Sequence, residues 1–181
     1  MKELLSKDSL YVAQHLIGSR LYVIEQDGSK TGGVISETEA YNQDDAASHS
    51  CRGPTLRTEV MFGPAGKLYV YFTYGMHWCM NIVTGPVGRG EAVLIRAIEP
   101  DQGLEKIRDR RGNVVEKNLT NGPTKLCQAL SINNEDSGAD INSPRFSLES
   151  PNKTDKRKII ATERIGISKD KHRLWRFTYD D

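Results

Sequence analysis

The sequence predicts an α+β fold: a single domain over residues 1–181, with a mostly antiparallel, curved sheet surrounded by helices. Three observations predict this class. Short strand-like segments follow one another along the chain, tight turns join them, and helical spacing is confined to a few separate segments. A chain of 181 residues with 37% hydrophobic and 27% charged content is long enough for one globular core.

Helical features occur in three segments. Residues 8–17 have apolar residues at helical spacing, and Asp8 or Ser9 is placed to cap the first turn. Residues 104–111 end in basic side chains, which suit the negative end of the helix dipole. Residues 125–130 follow a Gly-Pro-Thr run, and proline is favoured in a first helical turn. We therefore predict three helices outside the sheet.

The remaining ordered segments have the alternating pattern of strands. Asp27-Gly28 predicts a hairpin turn, residues 74–77 a second short turn, and Pro100 the end of a strand. The polar residues 42–54 predict a loop, which is where sheet proteins often carry function. The predicted strands are 20–25, 33–41, 67–73, 78–83 and 91–98, with weaker ones at 146–149, 158–162 and 174–179.

The net charge of +1 does not by itself indicate a nucleic-acid-binding protein. Basic residues are nevertheless concentrated near the carboxyl end of the chain, where they could form either a phosphate-binding sector or an ordinary solvated face. Taken alone, their distribution favours the solvated face. These residues are Lys153, Lys156, Arg157, Lys158, Arg164, Lys169, Lys171, Arg173 and Arg176.

Cysteine usage and hydropathy predict a reduced, cytoplasmic setting. The three cysteines Cys51, Cys79 and Cys127 are an odd number without the spacing of a disulfide framework. No stretch reaches the roughly eighteen uninterrupted apolar residues of a membrane span. The acidic residues and amphipathic pattern of the first eighteen residues do not fit a signal peptide.

The segment Ser36-Glu-Thr-Glu-Ala-Tyr41 is unusual for a strand. Side chains alternate along a strand, so Glu37, Glu39 and Tyr41 share one face. Two carboxylates and a phenol would suit a polar cleft, in which one carboxylate acts as a general base. They would equally suit an edge strand that carries charges against aggregation. The segment alone does not separate these two interpretations.

Tyrosines are concentrated in residues 68–74. Tyr69, Tyr71 and Thr73 share one face, which resembles a stacking platform for flat ligands. Val70 and Phe72 share the opposite face, which we predict to be the core face. Ordinary cross-strand aromatic packing is the alternative, and without further context it is favoured.

A metal site is not predicted. His49-Ser-Cys51 and His77-Trp-Cys79 have one residue between the two ligand types, whereas zinc ligands are usually spaced by two to four residues. Residues 63–67 resemble a phosphate-binding loop only superficially, because Met61 and Leu68 stand where its pattern needs Gly and Ser or Thr.

Taken together, the sequence resembles the alkyladenine (3-methyladenine) DNA glycosylase family from about residue 10 to the end. The combination of Tyr-Gly-Met, Cys-Met-Asn and Glu-Thr-Glu-Ala-Tyr is far more specific than any single motif. The matching residues are 37–41, 46–50, Arg57, Met61, Phe62, Gly66, 68–71, 74–82, 93–100 and 122–130.

The resemblance implies roles for five residues around a flipped base. Glu39 matches the general base that holds and deprotonates the attacking water, and Arg96 matches the arginine that helps hold it. Tyr41 and Tyr71 match the aromatic rings that sandwich the base, and His49 closes the same pocket.

Five further residues match positions that discriminate bases or contact DNA. Asn81 matches a wall residue whose amide clashes with the exocyclic amino group of normal guanine, and Tyr74 matches the residue inserted into the duplex. Met76 lies beside this wedge and is expected to contact DNA, as are Arg57 and Lys125 with the DNA backbone.

The implied activity is that of a monofunctional DNA glycosylase of base excision repair. It would flip alkylated or deaminated purines (3-methyladenine, 7-methylguanine, hypoxanthine and ethenoadenine) out of double-stranded DNA. A water activated by Glu39 would hydrolyse the N-glycosidic bond and leave an abasic site, with no metal or organic cofactor. A Schiff base on Lys67 or Lys125 is a less favoured route. The enzyme is expected to be a monomer.

Two other functions stay open at this point: a non-catalytic nucleic-acid-binding module that uses tyrosine stacking, and a formyltransferase-like domain. The sequence also departs from the family at its carboxyl end. The family continues past the last strand into an Asn-Pro-x-Val-Ser-like run, whereas this chain stops at residues 177–181. We therefore expect part of the pocket floor to be missing or supplied differently.

Overall fold

One curled antiparallel sheet carries the fold in the computed structural model, which describes residues 1–112, 114–152 and 154–180. The predicted α+β class is confirmed. The strands of the described chain are β1 Arg20–Ile24, β2 Lys30–Tyr41, β3 Leu68–Thr73, β4 His77–Val83, β5 Ala92–Gln102, β6 Phe146–Glu149, β7 Ile159–Thr162 and β8 Arg176–Tyr179. Its helices are α1 Lys2–Leu5, α2 Ser9–Leu16, α3 Leu104–Arg111 and α4 Pro123–Ala129, with 3₁₀ turns at His49–Arg52, Glu59–Phe62, Glu116–Asn118 and Asn134–Asp136.

Strand β2 lies in the middle of the sheet. The strands are ordered β3-β4-β5-β2-β1-β6, and β8 pairs with both β2 and β7. The first half of β2 pairs with β1, where Arg20 faces Val34, and its second half pairs with β8, where Glu39 faces Arg176. Because β2 has neighbours on both sides, the edge-strand explanation for its carboxylates is wrong.

The pairing of β2 with β5 is irregular where the charged side chains lie. Glu37 pairs with Ala97 while the residues on either side of it shift register, so that Ser36 and Arg96 have no partner in the ladder. An extra residue in a strand bends it and re-aims its side chains. The irregularity therefore accompanies the curl of the sheet and turns Arg96 towards the carboxylates of β2.

The core lies between the sheet and its helices. Helix α2 begins at the predicted cap, where the Asp8 carboxylate accepts a hydrogen bond from Tyr11 N at 2.9 Å. Its residues Val12, Ala13 and Leu16 are fully buried. The Thr38 hydroxyl donates to the Ala13 carbonyl at 2.8 Å and thereby fixes α2 against the second half of β2. Within the described ranges, no helix has both the length and the apolar character needed to cross a bilayer.

The structure differs from the sequence-based expectation in three elements. Strand β5 continues through Pro100 to Gln102. Strand β4 pairs with β5 only from Ala92 to Leu94, so no neighbouring strand on that side of Pro100 needs the N–H that a proline lacks. Phe72 is 49% exposed rather than in the core, since edge strand β3 extends past the core there and the ring packs on Trp78 at 4.8 Å between centroids. The short helix α1 was not predicted.

Candidate active site

A cavity of about 580 Å³ opens where β2, β3, β4 and β5 meet. This volume lies within the range of about 300–1,000 Å³ that is usual for small-molecule sites. Its walls combine aromatic rings, an amide, a guanidinium and a stretch of backbone. They include Tyr41, His49, Arg57, Tyr69, Tyr71, Tyr74, Asn81, Arg96 and residues 165–169.

Glu39 lies directly behind this wall and has no exposed surface. Its Oε1 accepts a hydrogen bond from Ile165 N at 2.8 Å and lies 3.3 Å from an Arg96 Nη1, while its Oε2 accepts from the Tyr41 hydroxyl at 2.7 Å. All three of these residues border the cavity. A carboxylate has about four acceptor positions, so two hydrogen bonds and one adjacent guanidinium leave room for a further partner.

Arg96 belongs to a chain of alternating charges. Its Nε donates to Glu37 Oε1 at 2.8 Å, and the same oxygen accepts a hydrogen bond from Arg176 Nε at 2.5 Å. Burial on its own lowers the pKa of Arg96, but Glu39 and Glu37 more than reverse this, so the net pKa is raised. The carboxylates therefore keep a buried guanidinium charged beside the cavity.

Tyr41 supports both the carboxylate and the cavity wall. Burial and the neighbouring Glu39 raise the pKa of Tyr41 far above its usual range, so its hydroxyl remains a proton donor to Glu39. The guanidinium carbon of Arg164 lies 4.6 Å from the centroid of the Tyr41 ring. Tyr41 borders the cavity, whereas Arg164 is outside its wall, so Arg164 supports the ring from behind.

His49 and Tyr71 form another part of the cavity wall. Their ring centroids are 4.7 Å apart at an interplanar angle of 78°, and His49 Nδ1 lies 3.0 Å from the Tyr69 hydroxyl. Partial burial and the nearby Arg57 guanidinium lower the pKa of His49 to about 4. The imidazole is therefore neutral at neutral pH. Arg57 also lies over the Tyr71 ring, 5.4 Å from its centroid.

The β3–β4 turn places two large side chains in solvent at the mouth of the cavity. Tyr74 is 81% exposed and Met76 is 71% exposed. Tyr74 adopts a φ of 51°, in the left-handed region that is strained for a bulky residue. Strained backbone that persists in a fold is often associated with function.

The structure brings eight of the ten predicted site residues together. Glu39 lies behind the cavity wall, and the other seven line it: Tyr41, His49, Arg57, Tyr71, Tyr74, Asn81 and Arg96. Asn81 is buried, and its Nδ2 donates to the Tyr69 carbonyl at 3.0 Å. Met76 lies outside at the turn, and Lys125 donates to Asn121 Oδ1 at 2.8 Å, next to Pro123 and Thr124 of the wall.

Sequence reasoning missed the part of the wall that residues 165–169 supply. The expectation of a different or missing pocket floor concerned residues 177–181, of which Asp181 lies outside the described residues, and it stays a prediction. Sequence reasoning also missed the adjacent ion pair of Asp45 and Arg164, whose side chains are fully buried. Arg164 had been placed with the surface basic residues, but a buried carboxylate partner allows an arginine to be desolvated. No local pattern marks such a pair, since its members are far apart in the chain.

The other basic residues near the carboxyl end do not form one uninterrupted positive surface. Arg157 pairs with Asp155 and Glu99, Arg173 with Asp170, Lys158 with Asp180 and Arg176 with Glu37. Lys153 lies outside the described residues. In the part of the chain that the structure describes, no group of three histidine, cysteine or acidic side chains is arranged to hold a metal ion.

Comparison with known proteins adds to this geometry. The model of the methylpurine-DNA glycosylase family matches residues 3–181. The chain belongs to this family. The resemblance noted in the sequence is thereby confirmed. The protein is a DNA glycosylase, a hydrolase that acts in the repair of alkylated DNA.

Similar proteins are found in diverse bacteria. A protein of Nitrosospira multiformis is 49% identical over 95% of this chain and 86% of its own length. Proteins of Carboxydothermus hydrogenoformans and Bacillus cereus are each 45% identical, over 97% and 96% of this chain and 92% and 91% of their own lengths. All three carry the name "putative 3-methyladenine DNA glycosylase".

Proposed function

We propose that this glycosylase flips an alkylated or deaminated purine out of double-stranded DNA and hydrolyses its bond to deoxyribose with a water held by Glu39. The proposed substrates are 3-methyladenine, 7-methylguanine, hypoxanthine and ethenoadenine. One observation carries the proposal: a carboxylate that accepts two hydrogen bonds and pairs with a guanidinium lies directly behind a cavity walled by aromatic rings. Flipping is required because the glycosidic bond of a stacked purine cannot be reached inside the duplex.

The cavity suits a flat, positively charged base. Tyr41 and Tyr71 present aromatic surface to it, and a purine alkylated at N3 or N7 carries a positive charge that a tyrosine face attracts by about 0.5–2 kcal/mol. Neutral His49 adds no competing positive charge to this wall at neutral pH, because its pKa is lowered to about 4. The two tyrosine faces therefore favour alkylated over ordinary purines, although the Arg57 guanidinium over Tyr71 opposes a cationic base on that ring.

The reaction breaks the C1′–N bond, and the bonding electrons leave with the base. An alkylated base departs as a neutral molecule, and the sugar that remains has the character of an oxocarbenium ion. The negative charge of Glu39 stabilises this sugar, and a water bound to the carboxylate attacks C1′ while its proton passes to Glu39. The product is an abasic site. Hypoxanthine and ethenoadenine also need a proton on the leaving nitrogen. Neutral His49 does not supply it at neutral pH, so it comes from solvent water, and the proton that the attacking water gives to Glu39 returns to solvent.

The exposed turn between β3 and β4 supports the flipping step. Tyr74 projects at the mouth of the cavity and would stack in the gap that the flipped base leaves. Met76 beside it, together with Arg57 and Lys125, would contact the surrounding DNA. We propose a monomer acting on one lesion at a time.

The test uses four duplexes of one sequence that carry hypoxanthine, ethenoadenine, 7-methylguanine or no lesion. The chain is added in excess, and each product is treated with or without alkali. We expect breaks only in the lesion strands and only after alkali, which distinguishes abasic sites from strand cleavage by a lysine. The native chain is compared with Glu39→Gln and with a matched control, Glu149→Gln, whose carboxylate lies on β6 and pairs with exposed Lys30.

We expect Glu39→Gln to lower the rate of base release by at least about 10²–10⁴-fold, the usual contribution of a general base, and to leave lesion binding intact. Glu149→Gln should match the native chain. A chain that binds the lesions without producing abasic sites would instead be a stacking module. Undiminished release by Glu39→Gln would remove this carboxylate from the reaction.

A further inference from the structure

Residues 163–170 form a strap along one side of the cavity, and a buried ion pair ties it to the loop that follows β2. Arg164 and Asp45 have fully buried side chains. One Arg164 nitrogen, Nη2, donates to Asp45 Oδ1 at 2.9 Å, and the other, Nη1, pairs with Oδ2 and also donates to the Ala40 carbonyl at 2.9 Å. The guanidinium is thus fixed in position and in rotation.

The far end of the strap has a second attachment to the same loop. The backbone N–H of Ala46 donates to Asp170 Oδ2 at 2.9 Å, immediately after Asp45 in the chain. Between the two attachments, residues 165–169 form part of the cavity wall. The position of this wall therefore depends on contacts with the loop after β2.

These attachments orient both oxygens of Glu39. The residue next to Arg164 in the chain, Ile165, donates its backbone N–H to Glu39 Oε1 at 2.8 Å. The Arg164 guanidinium also lies over the ring of Tyr41, whose hydroxyl donates to Glu39 Oε2 at 2.7 Å. Both hydrogen-bond donors to the carboxylate are therefore held in place by one buried arginine.

We propose that Arg164 and Asp45 are positioning residues for base release: their ion pair holds the Ile165 N–H and the Tyr41 ring so that Glu39 faces the cavity in a fixed rotation. This inference rests on the proposed function of Glu39. A buried ion pair contributes little net stability compared with a well-packed apolar pair, so stability alone does not explain it here. Its two contacts with the donors of Glu39 do explain it.

The test compares Arg164→Met and Asp45→Asn with Arg110→Met. The control removes an arginine of similar geometry, since Arg110 donates to both oxygens of Glu25 at 2.9 Å, but that pair joins α3 to the residue directly after β1. Base release is measured in a single turnover on an ethenoadenine duplex with excess protein. Binding is measured separately on a duplex with a tetrahydrofuran abasic-site analogue, which cannot be hydrolysed.

We expect the Arg164 and Asp45 variants to release the base about 10- to 100-fold more slowly, as a displacement of about 1 Å in a catalytic group does. Their affinity for the tetrahydrofuran duplex should equal that of Arg110→Met, and Arg164→Lys should recover part of the rate. The Ile165 amide reports the cause directly. Its NMR signal should shift and lose protection from hydrogen exchange in Arg164→Met but not in Arg110→Met.

Equal base release by Arg164→Met and Arg110→Met would overturn the inference, as would an unchanged Ile165 amide or a parallel loss of rate and binding. If Arg164→Met does not fold, Arg164→Lys and Asp45→Asn give the same comparison with less change in charge and volume. A native chain that releases no base refutes the proposed function itself. In that case the Ile165 amide would still respond to Arg164→Met, which separates the two failures.

Discussion

The cavity is bordered by two regions built in opposite ways, a carboxylate cluster and a hairpin tip. The carboxylate cluster consists of Glu37, Glu39, Arg96 and Arg176, whose side chains are mostly buried and paired with one another. The hairpin tip, residues 74–76, exposes a tyrosine and a methionine to solvent on strained backbone. The carboxylate cluster fixes its side chains through ion pairs, while the hairpin tip leaves its side chains exposed.

Under the proposed function, this difference would separate chemistry from DNA capture. Buried charges are tolerated only when each has a partner, so a change within the carboxylate cluster should reduce stability and catalysis together. The hairpin tip has few contacts to lose. A change there should reduce DNA capture with little cost to the fold. The predictions below test this separation, starting with the largest expected effect.

Glu37→Ala should have the largest effect because it removes the shared partner of Arg96 and Arg176. Of its partners in the described chain, Arg176 would keep only the Thr162 hydroxyl. Arg96 would likewise keep only Glu39. Removing one partner from a buried ion pair costs about 3–5 kcal/mol, which urea unfolding would measure as a lower free energy of unfolding. Base release should also fall about 10- to 100-fold, since Arg96 loses the group that orients it against Glu39. A Glu37→Ala chain with the native free energy of unfolding and the native rate of base release would show that the cluster does not couple stability to catalysis.

At the hairpin tip, changes to Tyr74 should affect binding and stability in opposite directions. Tyr74→Ala and Tyr74→Gly both remove the ring and should weaken binding of a lesion duplex by about 1–3 kcal/mol, the usual value of one base–aromatic stack. Tyr74→Gly also removes the strain of a positive φ, which costs about 1–2 kcal/mol, and should unfold at higher urea than Tyr74→Ala. Fluorescence of a reporter base opposite the lesion would follow the flipped state. Equal binding by the native chain and both variants would contradict the wedge role.

Asn81 should affect the choice of base more than the rate. Asn81→Ala removes the amide from the cavity wall, so release of normal guanine should increase by about tenfold relative to ethenoadenine. The lost bond to the Tyr69 carbonyl should cost about 1 kcal/mol of stability. Rates on a guanine duplex and an ethenoadenine duplex are compared at one protein concentration. An unchanged ratio would exclude Asn81 from discrimination.

How far the sequence predicted the molecule depends on the range of the interaction. Local patterns located α3 and β6, and the alternation within β2 placed Glu37, Glu39 and Tyr41 on one face. The resemblance then implied which of these residues act. Contacts between distant segments left no such pattern. Asp45 and Arg164 are 119 residues apart, and each resembles an ordinary surface charge until the fold brings them together.

The same limit applies to the register of the sheet. Arg96 falls at an irregularity in the pairing of β2 with β5, and an alternating pattern of residues cannot specify which strand residue is left unpaired. Phe72 shows the converse: its alternation matched a core face, but its strand extends past the core at the sheet edge. Sequence periodicity predicts which side chains share a face of a strand, whereas tertiary packing decides whether that face is buried or exposed.

The smallest expected effect concerns the pH response of the part of the cavity wall that His49 and Tyr71 form. Burial and Arg57 lower the pKa of His49 from 6.5 to about 4, so the unfolded chain binds this proton more readily than the folded chain. The contribution of His49 to stability is complete above pH 6.5 and falls as the pH drops towards 4.

Arg57→Ala should raise the pKa of His49 only in part, because burial is the larger cause, and NMR titration of the ring protons would measure this pKa. Arg52→Ala, in the same loop, should leave the titration unchanged. An unaltered His49 titration in Arg57→Ala would show that burial alone keeps the imidazole neutral, and Arg57 would then have no electrostatic effect on the wall that receives a cationic base.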